Sequence, residues 1–322
     1  MFLFKSLSLY LLIDSNFYSK KGVLLKLSLS YFIACLLIVL IWAGSFIFIR
    51  IGLKDFPPIT LAFLRFATAS PLLLIFYLFN KNKDEKETHF NLKFIFLKLN
   101  VLALTGVSLL YIFQFYSLKF ISASVGSIII NLTTIFMVLF SVLFLNEKLN
   151  KRKILGILIA FIGVSILVSN GWEKINFSST QFLGCILMLG AALCWAIYSI
   201  LTKKVLEFNS NLTITLITFL LGTAHLFPAA FILENPLKAI FKASKIGWLS
   251  VFYLGFLSSA LAYFLWNKIL IKSEVSKVGA ILYIIPIPTI IFEYFLLREA
   301  VATITLIGAF LVIVGVYLTE LA

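Results

Sequence analysis

The sequence predicts an all-α polytopic membrane protein with ten transmembrane helices, arranged as two inverted five-helix repeats. Three observations predict this fold: an apolar composition, ten apolar runs, and an internal similarity at a spacing of 152 residues. Of the 322 residues, 62% are hydrophobic and only 12% are charged, and the mean hydropathy is +1.09. Such a chain is too apolar for a water-soluble domain, so the lipid bilayer is its expected surrounding.

Ten apolar runs, separated by charged residues or by proline and glycine, approach the roughly 20 residues that cross a bilayer. The predicted spans are 29–50, 57–79, 98–118, 121–145, 153–169, 181–202, 212–233, 247–267, 276–297 and 301–319. They divide the chain into a first five-helix repeat at 29–170 and a second at 181–322. The apolar stretch before them is too short to span, so residues 1–28 are predicted to be an interfacial or disordered leader.

The Lys and Arg residues favour one side of the predicted membrane, as they do in the cytoplasmic loops of membrane proteins. One side receives 18 of the 27 cations, the other side receives 8, and Arg65 falls within a span. This bias predicts an integral plasma (cell inner) membrane protein with both termini in the cytoplasm. It also explains the formal charge of +14. The cations do not form a stripe with interleaved aromatics, so no nucleic-acid partner is expected.

The two halves of the chain resemble each other without a gap. A shift of 152 residues aligns Tyr111 with Tyr263, Ser124 with Ser276, Glu147 with Glu299, Gly156 with Gly308, and Gly163 with Gly315. A shift of 153 residues aligns Trp42-Ala43 with Trp195-Ala196. Because each unit holds an odd number of spans, the second copy enters the bilayer in the opposite orientation. Inverted repeats of this kind are typical of carriers with a site near the membrane midplane.

Several motifs carry a resemblance to a known family. They are Tyr116-Ser117-Leu118-Lys119-Phe120-Ile121-Ser122-Ala123-Ser124-Val125-Gly126, Leu145-Asn146-Glu147-Lys148-Leu149, Trp42-Ala43-Gly44-Ser45-Phe46, Leu64-Arg65-Phe66 and Leu297-Arg298-Glu299. With these motifs the chain resembles the EamA-like branch of the drug/metabolite transporter superfamily over about residues 30 to 320. Two features depart from the family pattern. Asn146-Glu147 and Arg298-Glu299 replace the usual Leu-Gly-Glu, and Glu293 stands where a small or apolar residue is usual.

The resemblance implies a central cavity between the halves, alternating access, and members that mostly export amino acids, other metabolites or drugs. We therefore expect a secondary transporter that moves small organic metabolites, such as amino acids, related compounds or drugs, across the lipid bilayer by alternating access, with export as the expected direction. Its expected partners are a small-molecule substrate and lipid, and its expected state is a monomer or a homodimer. No cofactor, metal site or catalytic residue is predicted, because the motifs of zinc, nucleotide and hydrolase sites are missing from the sequence. An integral membrane enzyme acting on lipid-like substrates is the alternative, and an ion channel is a third.

Polar residues on one face of the fourth predicted span suggest where a substrate path runs. The polar residues are Ser127, Asn131, Thr134 and Ser141. Successive members are four, three and seven residues apart, so they share a helix face. Shifted by 152 residues, that face carries Gly279, Tyr283, Pro286 and Glu293 in the ninth span. We expect both faces to line a common space. The alternative is that the serines and Thr134 bond their own backbone carbonyls or join neighbouring helices.

Four charged residues lie inside or at the ends of spans, and two of them, Glu293 and Arg65, have two readings each. Glu293 is a candidate proton-coupling group, because a carboxylate in hydrocarbon is costly without a partner. Its alternative is an acid near the interface, paired with Arg298 or another cation. Arg65 is predicted to snorkel or to make a structural hydrogen bond, and its alternative is a contact to an anionic substrate group. Glu147 and Glu299 are predicted to cap the turns that follow their helices.

Aromatic and amide residues supply the remaining candidates for a cavity wall. They pair at helical spacing on four predicted spans: Trp42 with Phe46, Tyr111 with Gln114, Trp195 with Tyr198, and Tyr263 with Asn267. Flat apolar walls with a few polar groups are typical of sites for organic ligands. Aromatic residues also form belts at the level of the lipid headgroups, which is the alternative for each of them.

Overall fold

A computed structural model describes most of the chain. The described residues are 21–80, 92–145, 151–168, 180–207, 209–272, 282, 284–299 and 302–320. The chain divides into two compact units, Met1–Leu37 and Ile38–Ala322. The described part of the first unit is the beginning of the first helix, which includes residues 21–28 of the predicted leader. All contacts reported below lie within the second unit.

Helices account for every regular element in the ranges just given, as the sequence predicts. A helix satisfies its backbone polar groups internally, which is what a segment surrounded by lipid requires. The α-helices are α1 (Lys21–Gly52), α2 (Pro58–Asn80), α3 (Leu92–Ala103), α4 (Leu109–Phe120), α5 (Ala123–Ile129), α6 (Thr133–Leu145), α7 (Lys151–Val168), α8 (Thr180–Leu206), α9 (Asn211–Leu233), α10 (Pro236–Lys242), α11 (Lys245–Phe252), α12 (Ala262–Lys272), α13 (Pro286–Phe292) and α14 (Thr303–Glu320).

Two long helices contain π-helical segments at positions related by the internal repeat. Leu104–Ser108 joins α3 to α4, and Tyr253–Leu261 joins α11 to α12. A shift of 152 residues carries the first segment onto 256–260, within the second. A third π segment, Glu293–Leu297, follows α13. Such segments are frequent at functional sites, because the extra residue re-aims the side chains around it.

Seven helical segments of the described chain are long and apolar enough to cross a membrane. They are Ile33–Gly52, Pro58–Phe79, Leu97–Phe120, Ala123–Phe140, Thr180–Leu206, Asn211–Leu233 and Lys245–Leu270. Three shorter apolar helices are Ile154–Ile166, Pro286–Leu297 and Thr303–Gly315. Large apolar side chains such as Phe79, Phe161 and Phe241 are at least 68% exposed, which suits contact with lipid rather than water. The chain is therefore a polytopic α-helical membrane protein.

Helices α7 and α14 pack against each other through glycines. A Cβ atom added at Gly163 would lie 2.9 Å from the carbonyl oxygen of Gly308, and one at Gly315 would collide with the backbone around Gly156 and Ala160. Only glycine permits this separation of the two backbones. Small residues that let helix backbones approach closely are typical of helix pairs within membranes, where van der Waals packing drives association.

Carboxylates bind the beginnings of two helices to distant parts of the chain. Glu234, at the end of α9, accepts hydrogen bonds from the backbone amides of Ile59 and Thr60 at 3.1 and 2.7 Å. Asp55 accepts from the backbone amide of Ser244 at 3.2 Å. These contacts satisfy amides that the first turn of a helix leaves without partners, and they hold the helix ends together.

Candidate functional site

Five aromatic side chains form a buried cluster between α1, α8 and α12. They are Trp42, Trp195, Tyr198, Tyr263 and Trp266. The rings of Trp42 and Trp195 are 5.4 Å apart and nearly perpendicular, an arrangement that aromatic pairs favour. The indole nitrogen of Trp42 donates a hydrogen bond of 3.2 Å to the carbonyl oxygen of Ser258, within a π segment. The cluster is thus fixed by both packing and hydrogen bonding.

A hydrogen-bond network around Arg65 lies next to this cluster. The hydroxyl oxygens of Tyr111 and Tyr263 are 2.9 Å apart, and the Tyr263 hydroxyl also donates to the carbonyl oxygen of Gly106 at 2.6 Å. Arg65 is 1% exposed; its Nη2 donates to Tyr111 at 3.0 Å and its Nε donates to Ser259 at 2.5 Å. The guanidinium carbon lies 4.0 Å from the centre of the Tyr111 ring. Arg65 therefore makes hydrogen bonds inside the protein and holds Tyr111 in place.

A cavity borders both the aromatic cluster and Tyr111. Its lining residues are Trp42, Ser45, Phe46, Leu110, Tyr111, Gln114, Ile130, Asn131, Trp195, Leu282 and Ile285. The cavity volume is about 60 Å³. Since roughly 10–15 Å³ measured in this way holds one water molecule, the cavity has room for a few waters. A larger molecule would enter only if the lining moved apart.

Asn131 is the most unusual polar residue of the cavity wall. It lies in the 3₁₀ turn Ile130–Leu132 between α5 and α6, and it is 1% exposed. Neither its amide nitrogen nor its amide oxygen has a hydrogen-bond partner among the described residues. Its backbone carbonyl accepts from the Thr134 hydroxyl at 2.8 Å. A buried amide without partners is costly, which makes this side chain a candidate for binding a ligand.

Half of the predicted path residues lie at the cavity. Those at its wall are Trp42, Phe46, Tyr111, Gln114, Asn131 and Trp195. Five others are buried but are not part of that wall: Thr134, Tyr198, Tyr263, Asn267 and Pro286. Tyr283 lies outside the described residues.

Two of the buried residues behind the wall, Tyr198 and Asn267, bond to each other. Asn267 donates to Thr215 at 2.9 Å and to the Tyr198 hydroxyl at 3.4 Å. Five wall residues were not singled out from the sequence: Ser45, Leu110, Ile130, Leu282 and Ile285. Four of them are aliphatic residues that nothing in a single sequence separates from lipid-facing ones. Ser45 stands one turn after Trp42, a spacing that places it on the same helix face.

Glu293 binds the beginning of α5. Its Oε1 accepts from the backbone amide of Ala123 at 2.7 Å, and its Oε2 accepts from that of Ser124 at 3.0 Å. The residue is 1% exposed, and no cation pairs with it in the described part of the chain, Arg298 included. A carboxylate in this position satisfies two unpaired amides and interacts favourably with the positive end of the helix dipole.

Glu299, a predicted cap, forms an ion pair. Its carboxylate lies 2.8 Å from Nη2 of Arg50, near the end of α1, and Arg50 also donates to the carbonyl oxygen of Ile121 at 3.2 Å. Arg50 was not singled out from the sequence, because a single arginine at a helix end is unremarkable there. Glu147, the other predicted cap, lies outside the described residues.

A second, more polar cavity adjoins these carboxylates. It has a volume of about 270 Å³ and includes Ser122, Ser124, Gln181, Glu293 and Glu299 in its wall. Both carboxylates therefore face space that water can fill. No group of three or more metal-ligating side chains occurs in the part of the chain that the structure describes. The arrangement is suited to admitting and binding a small organic molecule.

Comparisons with known proteins agree with this architecture. The profile of the EamA-like transporter family matches residues 29–169 and again 182–321. An uncharacterized transporter of Archaeoglobus fulgidus is 38% identical over 283 residues, which cover 88% of this chain and 94% of that protein. A probable amino-acid metabolite efflux pump of Escherichia coli is 25% identical, with 89% and 93% of the two chains covered.

A solved crystal structure shares the fold. It superimposes with a TM-score of 0.64 at 17% sequence identity and covers 91% of this chain and 96% of its own. The duplicated family match covers most of the chain, and the relative at 38% identity spans nearly the whole of it. The chain therefore belongs to the EamA-like transporter family.

Proposed function

We propose that this membrane transporter exports small organic metabolites, amino acids or related compounds among them, by alternating access between two inverted five-helix repeats. The proposed repeats are residues 29–170 and 181–322. The observation that carries the proposal is that residues related by the repeat meet each other in the structure. Contacts of this kind are what a two-fold axis between the halves produces, since residues on such an axis touch their own equivalents.

Four such contacts support an axis through the centre of the protein. The Tyr111 and Tyr263 hydroxyls, 152 residues apart, are 2.9 Å apart in space. At a shift of 153 residues, the rings of Trp42 and Trp195 lie 5.4 Å apart and those of Phe66 and Phe219 lie 4.9 Å apart. The hydroxyl oxygens of Ser70 and Thr223, also 153 residues apart, are separated by 3.4 Å. Equivalent residues of the two repeats thus face each other, and three of them, Trp42, Tyr111 and Trp195, also line the cavity.

The glycine contacts between α7 and α14 support the same axis, because the repeat converts one contact into the other. Gly163 lies against Gly308, and Gly315 lies against Gly156. A shift of 152 residues exchanges these two contacts with each other, as a two-fold axis between α7 and α14 requires. The fifth helices of the two repeats would then form a symmetric pair.

The orientation of the repeats follows from their odd number of spans. If the seven long and three shorter apolar helices all cross the bilayer, each repeat spans it five times and the second repeat is inverted. The cation bias then places both termini in the cytoplasm of the plasma (cell inner) membrane. Both halves of the cavity come from one chain, so the proposed transporting unit is a single chain.

Contacts at one end of the proposed helices support a state that is closed at that face. Glu293 binds the start of α5, and Arg50 joins the end of α1 to Glu299. In the proposed orientation these residues lie at the external face. Opening that face requires the two carboxylates to release their partners, after which the small cavity beside Trp42 would connect to the outside.

Glu293 offers a route by which protons drive this opening. A charged carboxylate accepts both amide hydrogen bonds strongly, whereas a protonated carboxyl has lost its charge and presents a donor to one of the two amides. Protonation from the polar cavity would therefore weaken the closure, and release of the proton would restore it. A proton gradient would bias the cycle toward export when the proton that Glu293 takes up from the external side is released to the cytoplasm.

Counterflow in proteoliposomes tests the proposal. Vesicles preloaded with unlabelled amino acids, each tested in turn, are diluted into a trace of the labelled compound, and a carrier then accumulates the label transiently. We expect an overshoot that Trp42→Ala abolishes and Trp248→Ala, which removes a tryptophan outside the cavity, retains. An enzyme would convert the label chemically, and a channel would only equilibrate it. Failure of every amino acid and related metabolite to give an overshoot with correctly inserted protein would contradict the proposal.

A further inference from the structure

We propose that the cavity beside Asn131 recognises planar, uncharged molecules through an adjacent hydrogen-bond donor and acceptor, such as a carboxamide, a lactam or the edge of a nitrogen heterocycle. This inference rests on the proposed transport function and narrows its preferred substrates to the related compounds that carry no charge, so that amino acids themselves are expected to bind more weakly than these. Three properties of the cavity carry it: the unpaired amide of Asn131, the aromatic walls, and the type of polar group at the wall.

The side chain of Asn131 presents one donor group and one acceptor next to each other. Both atoms are buried, and within the described ranges neither has a protein partner. The complementary ligand group offers an acceptor and a donor with the same spacing, so that both bonds form together. Asparagine makes paired bonds of this kind with adenine in nucleic-acid complexes, and a free carboxamide or lactam presents the same pattern.

The aromatic walls favour a flat ligand. Trp42, Trp195 and Tyr111 all line the cavity, and Trp42 and Trp195 stand nearly at right angles to each other. Neighbouring rings and the Trp42 hydrogen bond hold these rings in place. The rings therefore present rigid faces and edges to a ligand. A planar ligand gains both stacking and edge contacts with them, at little cost in side-chain entropy.

The polar groups of the wall favour an uncharged ligand. Those besides Tyr111 and the two indoles are the amides of Asn131 and Gln114 and the hydroxyl of Ser45, which is already donated to the Trp42 carbonyl at 2.7 Å. No acidic side chain belongs to the described wall, so an ammonium group would lose its water without gaining an anionic partner.

The buried cation Arg65 also argues against charged ligands. Arg65 lies behind Tyr111 and spends two of its nitrogens on Tyr111, Ser258 and Ser259. Its positive charge further disfavours a cationic ligand. A ligand carboxylate would have to reach past Tyr111 to pair with Arg65. The carboxylate would also present two acceptors to the Asn131 amide, which needs one acceptor and one donor.

A matched series of benzene derivatives tests the inference. Benzamide carries the proposed donor and acceptor, whereas benzoate carries acceptors and a negative charge, and benzylamine carries a positive charge. L-phenylalanine adds the zwitterionic case. Binding to the purified full-length protein is measured by quenching of tryptophan fluorescence, since Trp42 and Trp195 line the cavity. We expect benzamide to bind at least tenfold more tightly than each of the other three.

Two variants connect that preference to Asn131. Asn131→Leu keeps the approximate volume but removes both hydrogen-bonding atoms, and we expect benzamide binding to weaken about tenfold or more. Ser165→Ala, which removes a hydroxyl that bonds the Phe161 carbonyl of its own helix outside the cavity, should change it less than about twofold. Size-exclusion profiles establish that both variants are folded.

Three results would overturn the inference. They are tighter binding of benzylamine, benzoate or L-phenylalanine than of benzamide, equal benzamide binding by Asn131→Leu and the unaltered protein, and no binding of benzamide at all. If amino acids still gave counterflow in any of these cases, the transport function would stand and only the substrate chemistry would be wrong.

Discussion

Arg50 and Glu299 form an ion pair of 2.8 Å that joins the end of α1 to the end of the ninth apolar segment. The repeat relates Arg50 to Lys203 by a shift of 153 residues and Glu299 to Glu147 by a shift of 152 residues. The equivalent positions thus again carry opposite charges. In an inverted repeat they would lie at the opposite face. We therefore expect each pair to hold one face closed in turn.

Removing the charge of Glu299 should loosen the face that is closed in this structure. Arg50 and Glu299 are 26% and 40% exposed, so solvent screens the pair and we expect an effect of about 1 kcal/mol or less. A cysteine at Gln181, in the polar cavity, should then react up to about fivefold faster with a small maleimide in Glu299→Gln. The reversed pair Arg50→Glu with Glu299→Arg should restore the slow rate. Equal labelling rates in all three proteins would show that the pair does not close this face.

Replacing Glu293 by glutamine should remove the dependence of transport on a proton gradient. The amide keeps the size of the side chain and one acceptor for the Ala123 or Ser124 amide, but it cannot take up or release a proton. Uptake into proteoliposomes with and without a pH gradient measures the effect. Glu299→Gln serves as the control that removes a carboxylate from the same cavity, and it should remain dependent on the gradient. Undiminished coupling in Glu293→Gln would exclude Glu293 from the mechanism.

Removing the hydroxyl of Tyr263 should destabilise the protein. Tyr263→Phe leaves the buried carbonyl oxygen of Gly106 and the hydroxyl of Tyr111 without that partner, which costs about 1–3 kcal/mol. Thermal unfolding in detergent should show a lower Tm. Tyr294→Phe provides the control, because Tyr294 is 58% exposed and its loss should change stability by less than about 0.5 kcal/mol. Similar Tm values for the two variants would contradict the central network.

Adding a methyl group at Gly163 should disrupt the pairing of α7 with α14. Alanine favours the helix by about 1 kcal/mol, but its Cβ would lie 2.8 Å from the Val312 backbone nitrogen, which cannot move aside as a flexible side chain could. Overpacking of this kind costs about 1–3 kcal/mol, so we expect net destabilisation in detergent or bicelles. Ser165→Ala, whose hydroxyl bonds only its own helix at Phe161, is the control. A Gly163→Ala protein as stable as that control would argue against the close approach.

Much of the fold follows from hydropathy, because lipid restricts a chain to long helices with few charges. The span predicted at 181–202 corresponds to α8 at Thr180–Leu206, and the span predicted at 212–233 corresponds to α9 at Asn211–Leu233. The short helix α10 was not predicted, since its seven residues are too few for a periodic pattern. The π segments were not predicted either, because they depend on packing between helices rather than on the apolar character of either helix.

The site was harder to derive, because helical periodicity identifies a face but not the element opposite it. Trp42 and Asn131 lie together at the cavity wall, although they are distant in sequence. Tyr198 and Asn267 are likewise an aromatic residue and an asparagine, yet they bond to each other behind that wall. Glu293 stood out as a buried acid, but its partners are backbone amides 169 and 170 residues away. Every sequence supplies such amides, so no residue pattern could have named them.

The inverted arrangement of the repeats is the central claim, and the sidedness of two equivalent residues tests it most directly. A shift of 153 residues relates Lys54, just after α1, to Glu207, just after α8, and both are exposed. Each is replaced by cysteine, in turn, in a protein whose Cys35, Cys185 and Cys194 have been changed to alanine. A membrane-impermeant maleimide should label Lys54→Cys in intact cells, and Glu207→Cys only after permeabilisation. Labelling of both cysteines from the same side of the membrane would contradict the account.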